Sequence, residues 1–181
     1  QSEETTNLEK LTNQIFENNL ENSVFIDSTA SDATLPFYLE LLSKSVAVVA
    51  ANKRANSQSM TFYKQLKSAS IARNIPFHYE TNVCAGLPVI NVLRSLVLSG
   101  DVVIKIEAVL SGTLNYLLSE YDGSTSFQEL VKVAKDIGYT EPYPRDDLSG
   151  MDVARKSLIL ARECGWEIEL NDIEVTPLMP E

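Results

Sequence analysis

The densest run of groups able to do chemistry lies between Gly138 and Lys156, where Glu141, Arg145, Asp146, Asp147, Asp152 and Lys156 fall within nineteen residues. Pro142 and Pro144 stiffen the stretch around Glu141, so its charged side chains are held by a loop of restricted backbone. Asp152 and Lys156 stand four positions apart in a pattern of helical period, which places them on one helix face with the acid N-terminal to the base. Such a pair has two readings. One is a solvated ion pair, contributing about a few tenths of a kcal/mol. The other takes Ile159, on the same face, as a sign of partial cover; a covered lysine beside carboxylates can give and take a proton, because its pKa responds to burial and to neighbouring charge. Carboxylates also pair with a substrate ammonium group, which points to an amino acid as ligand.

Other candidates are weaker. His78 is the only histidine and sits between aromatic residues, the setting of a packed structural side chain. Cys84 and Cys164 are the two cysteines; they form no CxxC and have no second metal ligand nearby, so reduced thiols are expected, with Cys84 an inert cysteine. The turn from Val83 to Pro88 reads by itself as a Gly/Pro-shaped entry into a helix.

The elements that must position these groups follow from hydrophobic period. Residues 1–22 suit one amphipathic helix through Leu8, Leu11, Ile15 and Leu20. Val24 to Asp27 reads as a buried strand running into the Ser/Thr cluster of a helix start, with Pro36 tolerated near that start and Leu35, Leu39 and Leu42 at helical spacing. Val46 to Ala51 has the unbroken apolar character of a parallel strand covered on both faces. A helix from Ser57 to Arg73 and a short strand from Pro76 to Glu80 continue the alternation, which predicts βαβ units and an incomplete Rossmann-like parallel sheet over residues 1–82. Beyond it, residues 83–181 predict an α+β domain. It has a helix over Gly86–Leu98 with Pro88 in its first turn and a longer strand over Val102–Leu110 with one polar face at Lys105 and Glu107. Helices follow over Thr113–Tyr121, Ser126–Ile137 and Ser149–Cys164, and the residues from Gly138 to Asp147 form a Pro-rich loop. The fold class is therefore α/β.

Composition narrows the function. The 181 residues are 44% hydrophobic and 22% charged, which suits a globular chain with its own core. A formal charge of −10 repels phosphate backbones and anionic lipids, so neither nucleic acid nor membrane is expected as a partner. The apolar runs fall far short of the ~20 residues of a membrane span, and the amino end does not read as a signal peptide, so a cytoplasmic location is expected.

The run Gly138-Tyr-Thr-Glu-Pro-Tyr-Pro-Arg-Asp-Asp-Leu-Ser-Gly-Met-Asp-Val-Ala-Arg-Lys156 closely resembles the signature of homoserine dehydrogenases, above all those fused to aspartate kinase. Asp27–Ser31, Ala51–Asn56, Glu80–Pro88 and the turn Ser111-Gly112-Thr113 agree in order along the chain. The resemblance implies NAD- or NADP-dependent interconversion of L-homoserine and L-aspartate 4-semialdehyde, in the pathway to threonine, methionine and isoleucine. It implies Lys156 as the proton donor and acceptor, with Lys53 at the junction of cofactor and substrate. It implies Glu141, Asp152, Asp147, Thr113 and Tyr139 around the substrate, and Thr29, Asn52, Lys53, Gly138 and Glu141 around the cofactor. A monovalent cation, Na or K, is implied at Glu80, Val83, Ala85 and Leu87, chiefly through main-chain oxygens. A homodimer or higher homo-oligomer is also implied, with Val102–Leu110 as the edge through which copies meet. Tyr143 stands where the family usually carries an acid, and Glu141 is kept.

None of the seven glycines stands two residues from another, so the sequence holds no GxGxxG turn for a dinucleotide pyrophosphate. The expectation is an internal piece of a longer enzyme that binds NAD(P)H weakly or not at all by itself. The alternative is a non-catalytic folding and dimerisation piece of such an enzyme.

Overall fold

A computed structural model describes residues 7–18, 22–140 and 143–179. Two compact units divide the chain, residues 1–88 and residues 89–181. In the first, helix α1 (Leu8–Asn18) precedes strand β1 (Val24–Asp27), helix α2 (Leu35–Ser43), strand β2 (Ala47–Ala50), helix α3 (Met60–Arg73) and the two-residue strand β3 (Phe77–His78). All pairings are parallel in the order β1-β2-β3, with Val24 opposite Ala47, Asp27 opposite Ala50, and Val48 opposite Phe77. Local chemistry sets the boundaries. Pro36 lies in the first turn of α2, where its missing N–H costs no helical bond. Ser59 caps α3 by accepting from the Phe62 N–H at 3.3 Å, and Asn74 ends it in the left-handed region at φ 51°.

Helices α2 and α3 pack together on one side of the sheet. Their core contains Phe25, Leu41, Leu42, Val48 and Leu66, with Tyr38 edge-on to both Phe25 and Phe77 at ring separations of 6.3 and 5.9 Å. The expected cover on both faces is absent among the described residues. Val24, Ile26 and Val49 alternate onto the other face and are 55%, 71% and 37% exposed. The same alternation corrects the reading of His78: Phe77 and Tyr79 turn inward and His78 turns out to solvent.

The second unit is helical: α4 (Val89–Leu98), α5 (Gly112–Glu120), α6 (Phe127–Asp136), α7 (Pro144–Leu148) and α8 (Met151–Glu163). Helix α4 begins just after Pro88 rather than around it, because Gly86 holds a positive φ of 76° that no helix continues. The short α7 replaces the end of the expected loop: Pro144 occupies its first turn, a position where proline starts a helix as readily as it stiffens a loop. Helix α8 carries the apolar spine Ala154, Leu158, Ile159, Leu160 and Ala161, and its buried Glu163 pairs with Arg94 of α4 at 3.1 Å. Leu117, Ala134 and Leu148 bring α5, α6 and α7 together.

The strand expected over Val102–Leu110 does not form among the described residues. The alternation is there, yet a strand also needs a neighbour to take its main-chain N–H and C=O groups, and no described segment lies alongside as one. Val102, Ile104 and Val109 are 78%, 90% and 73% exposed on this segment.

Candidate active site

Gly150 opens α8 in the left-handed region at φ 76°, a backbone turn that glycine takes without strain, three residues after Asp147. On α8 the predicted pair meets: Lys156 Nζ lies 2.8 Å from Asp152 Oδ2, with the two side chains only 15% and 22% exposed. The amine also donates to the main-chain oxygen of Leu110 at 2.7 Å. This is a covered, doubly held amine and not a solvated surface pair. An ammonium carries three N–H donors, and these two bonds direct two of them.

The residues just after Leu110 hold the signature loop. Ser111 caps α5 by accepting from the Leu114 N–H at 3.1 Å, and this fixes Thr113 in the first turn. The Thr113 hydroxyl shares its proton between the Tyr139 carbonyl oxygen, at 2.6 Å, and Asp147 Oδ1, at 3.1 Å. Asp147 is 6% exposed, and the Tyr139 ring stacks on Tyr116 with centroids 4.5 Å apart. Gly138, at φ 81°, turns the chain out of α6 into this loop. Glu141 lies outside the described residues. Residues 110–113 thus seat both the lysine and the loop, a role that no periodicity in the sequence announces.

In the first unit, β1 and β2 end side by side at Asp27 and Ala50, so residues 28–34 and 51–54 share the carboxyl edge of a parallel sheet, where α/β folds take their ligands. Thr29 is exposed there, Lys53 is half-buried, and Asn52 is buried. Glu80 starts a short 3-10 turn, Glu80–Asn82, and is half-buried; Val83 is buried, and Ala85 and Leu87 are exposed. Asn82 donates to the Ala50 carbonyl oxygen at 2.8 Å and accepts from Asn56 Nδ2 at 2.8 Å, tying this turn to the end of β2. A carboxylate and main-chain oxygens are the donor chemistry a hard cation requires. No group of three or more His, Cys, Asp or Glu suited to a metal occurs among the described residues.

The sequence reading passed over Asp27. Its carboxylate is 2% exposed and accepts from the Thr29 N–H, the Thr34 and Tyr38 hydroxyls and the Asn52 amide. Burial pushes its carboxyl up, but the hydrogen bonds from Thr34, Tyr38 and Thr29 outweigh that and hold it below the ordinary aspartate value of 3.8. Burial, together with the Asp27 charge, pushes the Tyr38 phenol well above its usual range. An acid closing an apolar strand just before a Ser/Thr cluster was the signal available for it.

A family model described as "Homoserine dehydrogenase" matches residues 88–180, and one described as "Homoserine dehydrogenase, NAD binding domain" matches residues 1–80. The chain belongs to the homoserine dehydrogenase family. It is 44% identical to bifunctional aspartokinase/homoserine dehydrogenase 1, chloroplastic, of Zea mays over 98% of this chain and 20% of that protein. It is 42% identical to the homoserine dehydrogenase of Schizosaccharomyces pombe over 88% of this chain and 44% of that one. The chain thus spans about a fifth of the bifunctional relative and under half of the yeast one. Among solved structures, a Candida auris protein of unknown function superposes with a TM-score of 0.86 at 37% identity, covering all of this chain and 52% of that one. A hyperthermophilic archaeal homoserine dehydrogenase in complex with NADPH matches with a TM-score of 0.73 at 25% identity, over 84% of this chain and 46% of that one. The homoserine dehydrogenase fold therefore includes this three-stranded parallel sheet as part of a Rossmann-like, NAD-binding region. No helix among the described residues is long and apolar enough to cross a membrane.

Proposed function

We propose that this chain forms part of an oxidoreductase that interconverts L-homoserine and L-aspartate 4-semialdehyde, with Lys156 as the proton donor and acceptor. The observation that carries this reading is the seat of the Lys156 amine, covered by its surroundings and bonded to Asp152 and to the Leu110 oxygen. A bound nicotinamide cofactor would supply the hydride acceptor for the alcohol carbon in oxidation and the hydride donor for the aldehyde carbon in reduction. In reduction the Lys156 ammonium gives a proton to the aldehyde oxygen as it becomes the hydroxyl; in oxidation the neutral amine takes that proton back. Leu110 and Asp152 fix the direction in which the remaining N–H points, and a proton moves well only along a short, aligned hydrogen bond.

Asp152, Asp147 and Glu141 supply the negative charge that would hold the substrate ammonium, with Thr113 and Tyr139 shaping the same loop. Thr29, Asn52 and Lys53 at the carboxyl edge of the sheet are assigned to the cofactor, and so are Gly138 and Glu141 of the signature run. Glu80 and the main-chain oxygens of Val83, Ala85 and Leu87 are assigned to a monovalent cation, sodium or potassium. The working form is taken to be a homodimer or larger, with Val102–Leu110 paired across copies.

The deciding experiment replaces Lys156 with Ala in the full-length protein. The expected result is a kcat for homoserine oxidation lowered by about 10² to 10⁴, as loss of a general acid/base gives, with NADPH affinity unchanged. Near-normal turnover would remove Lys156 from the chemistry.

A further inference from the structure

The proposed cofactor edge contains one side chain that the geometry turns away from any ligand. Asn52 is 2% exposed, and both ends of its amide are engaged inside the first unit. Its Nδ2 donates to the Ser31 carbonyl oxygen at 2.8 Å, to Asp27 Oδ2 at 3.1 Å and to Thr34 Oγ1 at 3.3 Å; its Oδ1 accepts from the Arg54 N–H at 3.1 Å. The bond to Arg54 closes a turn around Lys53, so the amide clamps the loop that presents the lysine.

Asp27 is the other half of the strut. Its Oδ1 takes the Thr29 N–H at 2.8 Å, and its Oδ2 takes Thr34, Tyr38 and Asn52. One buried carboxylate therefore sets the backbone at Thr29, anchors helix α2 through Tyr38, and seats the amide that shapes the Lys53 turn. A buried charge is costly unless its lone pairs are filled, so these partners are fixed relative to one another.

We propose that Asp27 and Asn52 are a positioning pair for the nicotinamide cofactor: they hold Thr29 and Lys53 in binding geometry, and the Asn52 side chain acts through the loop without touching the ligand. This rests on the reading that Thr29 and Lys53 face the cofactor.

The test uses the full-length enzyme, with NADPH affinity from fluorescence titration and stability from thermal melts of each variant. Asn52→Ala and Tyr38→Phe each remove one donor from the same Asp27 oxygen, Asn52 on the loop side and Tyr38 on the helix side; Asn52→Ala also gives up its bonds to Ser31, Thr34 and Arg54, so the larger loss of Tm is expected there. Asn52→Ala should raise the NADPH Kd about tenfold, the upper end of what one hydrogen bond supplies. Tyr38→Phe should leave the Kd within about twofold, since the loop-side bonds remain. The double variant Asp27→Asn with Asn52→Ala should bind no more weakly than the weaker single, because the pair acts as one device. Equal weakening by Tyr38→Phe would reduce the network to general scaffolding, and an unchanged Kd in Asn52→Ala would remove its role. Additive losses in the double variant would mean that the asparagine contacts the cofactor directly, which overturns the proposal. Should Asp27→Asn not fold, the contrast between Asn52→Ala and Tyr38→Phe still decides. Lys53→Ala tests the underlying reading separately: wild-type NADPH affinity in that variant would sink the cofactor assignment itself, whatever the Asn52 result.

Discussion

Replacing Gly150 with Ala probes the corner that sets the start of helix α8. A methyl group there meets two obstacles. The residue sits at φ 76°, ψ −1°, and an L side chain in left-handed backbone costs about 1–2 kcal/mol. The new Cβ would also lie 2.8 Å from Val175 Cγ1, well inside van der Waals contact, and overpacking of that kind costs about 1–3 kcal/mol. The total is about 2–5 kcal/mol, a large share of a domain's stability. Trp166, the single tryptophan, lies just past α8 and reports on this unit by fluorescence during a urea titration. Val175→Ala alone supplies the reference. Adding it to Gly150→Ala should recover the packing part and leave about 1–2 kcal/mol of backbone cost. A loss below about 1 kcal/mol in the single variant would refute the reasoning, since it is less than the backbone cost alone. No recovery in the double variant would show that the approach to Val175 is not the cause.

Asp152→Asn in the full-length protein removes the charge beside Lys156 and an acid proposed to bind the substrate ammonium, so KM for the amino-acid substrate should rise about tenfold or more in steady-state kinetics. An unchanged KM with an intact fold would send the substrate elsewhere. Asp27 makes a prediction about acid. Its folded-state pKa lies below its unfolded value, so its stabilisation is fully present above about pH 4 and is lost as pH falls through the lowered value. Urea midpoints measured from pH 6 down to the acid transition should fall less steeply in Asp27→Asn than in the parent chain, and parallel curves would contradict the linkage.

The parts of the fold written in side-chain period were legible in sequence. The runs Val24–Asp27 and Val46–Ala51 contain β1 and β2, Pro36 sits where a helix begins, and the spacing of Asp152 and Lys156 brought the pair together on α8. What period cannot encode is a neighbour. Val102–Leu110 alternates like a strand, yet alternation only says which faces the side chains take, and pairing depends on chain from elsewhere. Likewise Val24, Ile26 and Val49 read as core, although they are 55%, 71% and 37% exposed. Asp27 was hidden for another reason: a lone acid beside apolar residues looks like the end of a strand, and its four donors come from the turn after β1 (Thr29), the 3-10 turn before α2 (Thr34), α2 (Tyr38) and the turn after β2 (Asn52).

The acceptor that orients the Lys156 amine on the α5 side is the backbone oxygen of Leu110. A carbonyl is supplied by every amino acid, so codon changes at position 110 leave the contact chemically intact, provided the half-buried side chain still packs. The vulnerable mutation is a shift in chain length. Deleting one residue between Val102 and Leu110 would draw the carbonyl away from the amine, because neighbouring Cα atoms are about 3.8 Å apart and a hydrogen bond tolerates only a few tenths of an ångström. In a library of random variants, this segment should therefore reject insertions and deletions, the reverse of what its exposed, loop-like appearance suggests.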